Sequence, residues 1–483
     1  MTIWSQKTDR LETEGIMDIL IKGGTVVTAE GKYEADIAID GEKITGIGYN
    51  IQPLKETEVV DAKGMLVLPG AIDSHTHLSH PFMGTTSTDD YFTGTRSAAC
   101  GGTTTIFDFV MQNKGESMVD AVNRRYKLAQ PNVAIDFAYH ISVVDISTPE
   151  LYASMDKVVD MGVRSFKVFT VYDFAVSDAD FYRALQKAAS INALIGIHAE
   201  NKEVSNLLIK QYQAEGKKDS WWHYMSKNEP VEGEADIRAI NLAKMAGAPL
   251  YIAHLADWQG VEAVTRAREE GCPIFAETCP QYLYFTSDVY KTDRAPEFVC
   301  SPPIKDQKSQ DALWAALKRG DIDVIGTDHC PFTLEQKAWG KRLPDGREGD
   351  FTTIPNGCAG IENMYPYMLS EANKGRITFS EAVKLCSSNT AKLFGIDDRK
   401  GFIAPGYDAD IVIYNPHKDV VIHNKDMHGQ LDHTIWEDVP VNGYPVATYC
   451  RGKLVYKDGQ FLGSRGYGRY VKAHALHFDG PVL

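Results

Sequence analysis

The sequence predicts an α/β protein: a (β/α)8 barrel (a TIM barrel) with a small β-sandwich domain built from both chain ends. Apolar segments of strand length alternate with helical segments through the middle of the chain, as in parallel sheets. Short strand-rich segments separated by turn residues flank this middle on both sides. The 483 residues are enough for one large barrel with an appended domain.

Eight segments in the middle of the chain are the predicted barrel strands. They read G-A-I-D-S-H, T-T-T-I-F-D-F, A-I-D-F-A-Y-H, R-S-F-K-V-F, L-I-G-I-H, L-Y-I-A-H, P-I-F-A-E-T and D-V-I-G-T-D. Helical segments such as M-V-D-A-V-N-R-R-Y-K-L-A lie between most of them. A doubly wound open sheet is the alternative, but no G-x-G-x-x-G follows the first strand to support a dinucleotide site.

The predicted domain boundaries lie where short strand-rich segments give way to alternating strands and helices, and where they return. We predict an N-terminal extension at 1–16, the β-sandwich at 17–69 and 401–462, the barrel at 70–400, and a C-terminal oligomerisation tail at 463–483. The first segment is polar and lacks the apolar stretch of a signal peptide.

Composition excludes several classes of partner. The net charge of −15 argues against non-specific binding to nucleic acid or to an anionic membrane. No apolar run reaches the roughly 18 residues of a membrane span. The eight cysteines are scattered without a C-x-x-C pair, which favours reduced core thiols and a cytoplasmic location.

Potential metal ligands stand where predicted strands end. His75 and His77 alternate on the first strand, so both imidazoles point to one side. His198, His254 and Asp328 end the fifth, sixth and eighth strands. A lone histidine at a strand end is more often structural. Because barrel active sites lie at the C-terminal strand ends, the shared placement of all five predicts a divalent metal site.

Lys167, in the fourth strand, does not fit a simple metal site. An ammonium group repels a cation and is costly inside an apolar strand. One interpretation is a salt bridge to a nearby carboxylate. The other is chemical: a buried lysine loses its proton easily, and the neutral amine can add CO₂ to form a carbamate that bridges two metals.

These motifs resemble a known family. D-S-H-T-H, S-F-K-V-F, G-I-H, I-A-H and G-T-D-H-C-P-F are similar to motifs of the dihydropyrimidinase/hydantoinase branch of the cyclic amidohydrolases. The resemblance implies a homotetramer and two Zn²⁺ ions per subunit. One ion would be held by His75, His77 and Asp328, the other by His198 and His254, and both by N6-carboxylated Lys167.

The resemblance also implies residues that act on the substrate, a small cyclic ureide. Tyr172 matches the tyrosine that stabilises the oxyanion. Ser301 and Asn356 match residues that bind the ring amide through their backbone. Asp328 would accept the proton of the nucleophile and deliver it to the leaving nitrogen.

The ring is expected to be uncharged. Dihydroorotases carry an arginine two positions after the second histidine to bind a carboxylate, and here that position is Ser79. We therefore expect 5,6-dihydropyrimidines or 5-substituted hydantoins, opened to N-carbamoyl amino acids. Asp173 and Phe174 follow Tyr172 where the family usually has a basic or polar residue. Candidates for an apolar wall at ring position five are Phe82, Met83, Tyr91 and Phe174.

Two alternative functions are also compatible with the sequence. An allantoinase-like enzyme would hydrolyse a different cyclic ureide with the same centre. A non-catalytic scaffold related to dihydropyrimidinase would have lost metal ligands, whereas all six positions are occupied here. Substrate specificity distinguishes the first rival, and metal content distinguishes the second.

Overall fold

The computed structural model describes residues 17–478. The predicted extension at 1–16 and the last five residues of the predicted tail lie outside the described residues. Within this range no helix is long and apolar enough to cross a membrane.

Eight parallel strands form the barrel and follow one another in chain order around it. In that order barrel strands 1 to 8 are Ala71–Thr76, Thr103–Met111, Asp136–Ser142, Ser165–Phe169, Leu194–His198, Leu250–Ile252, Ile274–Thr278 and Val324–Ile325. Each coincides with a predicted strand, so the predicted (β/α)8 barrel is confirmed.

Helices surround the barrel, which explains why its strands are buried on both faces almost along their whole length. Side chains of Ser117, Thr148 and Ser177 cap three of these helices at the N-terminus. The α-helices are Tyr91–Cys100, Met118–Ala129, Pro149–Asp160, Asp178–Ser190, Lys202–Ala214, Trp221–Ser226, Glu229–Ala246, Trp258–Glu269, Pro280–Tyr284, Gln307–Arg319, Leu334–Lys337, Met364–Asn373, Phe379–Val383 and Asn389–Leu393. A π-helical turn, Lys384–Ser388, joins the last two.

Side chains complete the closure between barrel strands 8 and 1. Strand 8 contains only two residues, so few backbone bonds are available there. The buried Asp73 carboxylate accepts hydrogen bonds from Thr327 N at 3.0 Å and Thr327 Oγ1 at 2.6 Å. His77 N donates to His329 O at 2.9 Å just beyond them. The closure therefore brings the end of strand 1 next to the residues that follow strand 8.

Both chain ends build one mostly antiparallel sheet of nine strands, as predicted. Its N-terminal strands are Ile19–Val27, Lys32–Asp40, Lys43–Gly48, Glu58–Asp61 and Leu66–Pro69, and its C-terminal strands are Ile411–Asn415, Tyr444–Cys450, Lys453–Lys457 and Gln460–Phe461. Leu66–Pro69 pairs antiparallel with Ile411–Asn415, which joins the two ends. A separate apolar core that includes Ile37, Val67 and Ile411 holds this sheet together.

The described part of the C-terminal tail packs on the barrel of its own chain. Phe137 N donates to Arg469 O at 3.0 Å, and Val471 N donates to Phe137 O at 2.8 Å. Val471 and Leu476 join the apolar cluster at the N-terminal ends of the barrel strands. Contact of this tail with a neighbouring subunit stays a prediction, as do the domain boundaries.

Lys400 links the barrel to the β-domain through a buried cluster of charges. Its ammonium nitrogen lies 2.6 Å from Asp136 of barrel strand 3. It lies 3.0 Å from Asp408 and 2.7 Å from Asp410, which precede the strand Ile411–Asn415. Arg451 also pairs with Asp136 at 3.0 Å, and Lys43 pairs with Asp408 at 2.8 Å. Within residues 17–478 the buried Asp410 therefore depends on Lys400 alone for an ion pair.

Lys400→Met is expected to lower the free energy of unfolding by about 3–5 kcal/mol, because it leaves the buried Asp410 carboxylate without its counter-ion. The midpoint of urea unfolding, followed by circular dichroism, measures this. Lys418→Met is the matched control, since Lys418 is 37% exposed and lies 3.9 Å from Asp458. Equal shifts in the two variants would contradict the proposed role of the cluster.

Candidate active site

A cavity opens at the C-terminal ends of the barrel strands, where barrel enzymes carry their active sites. Eight of the nine predicted site residues line it: His77, Lys167, Tyr172, His198, His254, Ser301, Asp328 and Asn356. The ninth, His75, is fully buried directly beside them. Residues far apart in the sequence therefore meet at one place.

The two histidines of strand 1 converge on Asp328. Asp328 Oδ1 lies 3.2 Å from His75 Nε2 and 3.0 Å from His77 Nε2. These three side chains present ligand atoms close enough together to hold one metal ion. The alternation on strand 1 thus places both imidazoles on one side, as the sequence predicts.

Lys167 connects this group to the histidine of strand 6. Its nitrogen lies 2.9 Å from His75 Nε2 and 3.2 Å from His254 Nε2. Among residues 17–478 no carboxylate oxygen lies within salt-bridge distance of it, so the salt-bridge interpretation lacks a partner. Burial lowers the pKa of the Lys167 ammonium to about 8, against the opposing charges of Asp328 and Glu277.

His198 is oriented by a buried ion pair. Its Nε2 lies 2.6 Å from Glu200 Oε2, and Lys227 Nζ lies 2.9 Å from the same oxygen. Burial by itself would raise the pKa of Glu200, but the Lys227 charge and the His198 bond outweigh it and hold that pKa low. With Nε2 engaged by Glu200, the Nδ1 atom of His198 is the one available to a metal.

The donor set at this centre suits a divalent metal. Burial is the largest cause that lowers the pKa of His75, His77, His198 and His254, so these imidazoles are neutral near pH 7. Neutral imidazole is the form that binds metal ions. Nitrogen ligands combined with one carboxylate are typical of Zn²⁺ and related ions.

Glu277, at the end of barrel strand 7, supports the centre and was not among the predicted site residues. Its Oε1 atom lies 2.6 Å from His75 Nδ1 and accepts the backbone N–H of His254 at 3.0 Å. Its Oε2 atom accepts hydrogen bonds from Ser74 Oγ at 2.5 Å and Tyr251 OH at 2.6 Å. A carboxylate that accepts from a metal-binding imidazole fixes its tautomer and orientation.

A sequence signal for Glu277 does exist. The segment P-I-F-A-E-T places one acidic residue at the end of an otherwise apolar strand, as the histidine-bearing strands do. The partners of that carboxylate come from strands 1 and 6, and only the closed barrel brings them within hydrogen-bond distance.

The three predicted substrate contacts also meet. Tyr172, Ser301 and Asn356 line the same cavity, and the side chains of Ser301 and Asn356 lie near enough to the Tyr172 hydroxyl to lower its pKa. Asn356 Nδ2 in turn donates to Ser301 Oγ at 3.2 Å. Burial, followed by the charge of Glu200, raises the pKa of Tyr172, so its hydroxyl keeps its proton and can donate near neutral pH.

Three of the predicted site residues adopt left-handed backbone conformations. The φ angles of Tyr172, His254 and Asp328 are 70°, 40° and 50°. Such angles in non-glycine residues cost about 1–3 kcal/mol each and are concentrated at functional sites. They turn these side chains toward the cavity immediately after the barrel strands end.

The predicted apolar wall is present in part. Phe82 meets the Tyr172 ring edge-on at a centroid distance of 5.4 Å, and Phe174 stacks on it at 5.3 Å. Met83 lines the adjoining outer cavity. The placement of Tyr91 in this wall is wrong. Tyr91 is buried behind the site, where its hydroxyl donates to Asp108 Oδ2 at 2.5 Å.

Comparison with known proteins shows which family this chain is similar to. The amidohydrolase family model matches residues 66–455. A D-hydantoinase from Geobacillus stearothermophilus is 41% identical over 94% of this chain and 96% of its own length. A D-hydantoinase from Streptomyces coelicolor is 38% identical over 94% and 97%. The crystal structure of dihydropyrimidinase from Brevibacillus agri superimposes with a TM-score of 0.92 at 39% identity, covering 95% of this chain and all of that one.

The barrel and the nitrogen-rich centre at its C-terminal end are those of a metal-dependent amidohydrolase, a class that implies a metal centre at this place. Within the amidohydrolase family the chain belongs to the hydantoinase and dihydropyrimidinase branch of enzymes, and the resemblance seen in the sequence motifs is confirmed.

Glu277→Gln is expected to weaken Zn²⁺ binding by roughly 10- to 100-fold, because it turns an acceptor facing His75 into an amide. It should also lower the free energy of unfolding by about 1–3 kcal/mol. Competition with a chromogenic chelator and thermal unfolding measure the two effects. Glu270→Gln is the control, because Glu270 is an exposed glutamate whose ion pair is with Lys244. Unchanged Zn²⁺ affinity in Glu277→Gln would rule out the orienting role.

Proposed function

We propose that this enzyme hydrolyses the cyclic amide bond of 5,6-dihydropyrimidines or 5-substituted hydantoins to give N-carbamoyl amino acids. One observation carries the proposal: six candidate metal-binding residues and Tyr172 converge on a single cavity. The names of the relatives, D-hydantoinase and dihydropyrimidinase, support the same class of substrate. The cellular location and a homotetrameric state stay predictions.

The proposed centre contains two Zn²⁺ ions. His75, His77 and Asp328 would hold one, His198 and His254 the other, and N6-carboxylated Lys167 both. When bound, zinc lowers the pKa of water toward neutrality and polarises an amide carbonyl. The depressed pKa of Lys167, about 8, supports carboxylation, since an appreciable share of the amine is then neutral and able to add CO₂.

The protein side chains complete the proposed reaction. Ser301 and Asn356 bind the ring amide and hold its carbonyl carbon facing Asp328. Tyr172, still protonated at neutral pH, donates its O–H to the oxygen that becomes negative as the tetrahedral intermediate forms. Asp328 takes the proton from the attacking water and delivers it to the ring nitrogen, which leaves as the C–N bond breaks.

Two features support an uncharged ring. Ser79, on the turn after strand 1, provides no cation for a ring carboxylate. Phe82 and Phe174 pack on the Tyr172 ring beside the centre, which suits an apolar ring face. Both features distinguish the proposed substrates from dihydroorotate.

A panel of ring substrates tests the function. Zinc-loaded protein should open the ring of dihydrouracil or 5-benzylhydantoin. The loss of ring absorbance and chromatography of the N-carbamoyl product measure this reaction. Assays with both enantiomers of 5-benzylhydantoin reveal the stereopreference of the enzyme. Hydrolysis of allantoin alone would replace the proposal with the allantoinase alternative. Failure on all three substrates, with less than about one zinc per chain, would favour the non-catalytic scaffold.

Lys167→Ala is expected to lower kcat/KM by roughly 10²-fold or more and to reduce the bound zinc, because it removes the side chain that would hold both ions. Metal content is measured by atomic emission. Wild-type protein loaded with ¹³C-bicarbonate should show a carbamate resonance by ¹³C NMR that Lys167→Ala lacks.

The matched control is Lys210→Ala, which removes an exposed lysine from the helix Lys202–Ala214. It should keep both the metal and the carbamate signal. Full metal content and activity in Lys167→Ala would disprove the bridging role.

A further inference from the structure

A second cavity adjoins the metal centre and leads away from it. Its volume is about 430 Å³, within the size range of small-molecule binding sites. Phe82, Tyr172, Phe174 and Asn356 line both cavities, so the two are adjacent. The outer cavity is therefore space next to a ring bound at the centre, into which a substituent at position five can extend.

The far side of the outer cavity is polar. One face of the helix Lys202–Ala214 lines it through residues spaced i, i+3, i+4 and i+7: Lys202, Ser205, Asn206 and Ile209. Three of these four are polar, and Lys202 is the first residue of the helix. The positive end of the helix dipole therefore adds to the Lys202 charge at this wall.

Within residues 17–478, Lys202 is the cation in this cavity that has no counter-ion. Lys227 also lines it, but its nitrogen lies 2.9 Å from Glu200 and its charge is neutralised there. Burial lowers the pKa of His223 to about 3, so that ring is neutral. Among residues 17–478, Lys202 is half-buried and forms no salt bridge and no side-chain hydrogen bond.

Among the described residues, Asp173 is the one acidic group that lines this cavity, and it lies at the exposed rim. It makes no salt bridge within the described part of the chain. The unpaired cation thus lies deeper than the unpaired anion, and the interior wall favours a negatively charged substituent over a positively charged one.

We propose that the outer cavity selects substrates whose position-five substituent ends in a carboxylate, with Lys202 as the specificity-determining residue. This inference rests on the proposed hydantoinase function and extends it to a substrate class. The reaction itself is unchanged: one water is consumed, the ring C–N bond breaks, a carboxylate and a ureido N–H form, and one proton is released to solvent. With a 2-carboxyethyl substituent the product is N-carbamoylglutamate.

Two hydantoins that differ only in charge provide the test. One carries a 2-carboxyethyl group at position five, and the other carries the uncharged 2-carbamoylethyl group of the same shape. The measured quantity is the ratio of their kcat/KM values on one enzyme preparation at about 0.1 M salt, where long-range charge is screened. Because inactive protein lowers both values equally, incomplete folding of a variant cancels in the ratio.

Wild-type enzyme should prefer the carboxylate substrate by ~3- to 10-fold, the scale of a half-exposed ion pair with its helix terminus. Lys202→Met should bring the ratio close to one, and Lys202→Glu should invert it. Asp173→Asn removes a negative charge from the same cavity and should raise the ratio. Lys210→Met is the matched control, because it removes one positive charge from the same helix outside the cavity, and it should leave the ratio unchanged.

The outcomes separate this inference from the proposed function. If 5-benzylhydantoin is hydrolysed but the wild-type ratio is one or less, the role of Lys202 is wrong and the function stands. The role is equally wrong if Lys202→Met keeps the wild-type ratio. If no ring substrate is opened by zinc-loaded enzyme, the proposed function itself fails.

Discussion

Closure of the barrel between its first and last strands is the constraint on which the site depends. Strand 8 is too short to close the sheet through its backbone alone, and the Asp73 carboxylate completes the connection by accepting two hydrogen bonds from Thr327. Asp328 follows Thr327 directly, and His75 lies two residues after Asp73. The same contact that closes the barrel therefore brings carboxylate and imidazole to 3.2 Å.

Burial then determines the chemical state of the residues brought together. It disfavours the imidazolium form of the four clustered histidines and the ammonium form of Lys167, so the centre offers neutral nitrogen atoms. Glu277 and Glu200 are buried as well, but each is used to orient a histidine. A site rich in nitrogen ligands and supported by two outer carboxylates is arranged for a cation before any cation binds.

The opposite end of the barrel has a structural role. There the C-terminal tail adds backbone hydrogen bonds to strand 3, and the charges around Lys400 connect that strand to the β-domain. Such groups stabilise the barrel without approaching the cavity. The separation lets the loops at the other end, such as the one that holds Asp173 and Phe174 after Tyr172, vary without weakening the core.

The sequence by itself determined the barrel, its eight strands and the candidate ligands, because strand periodicity and strand ends can be read locally. His75 and His77 were found in this way. Glu277, the position of Tyr91 and the unpaired Lys202 were not, because each depends on neighbours distant in sequence. Packing of the closed barrel sets the distances between strands and helices. Only these distances decide whether a carboxylate accepts a hydrogen bond from an imidazole, whether an aromatic ring faces a cavity and whether a cation lacks a partner.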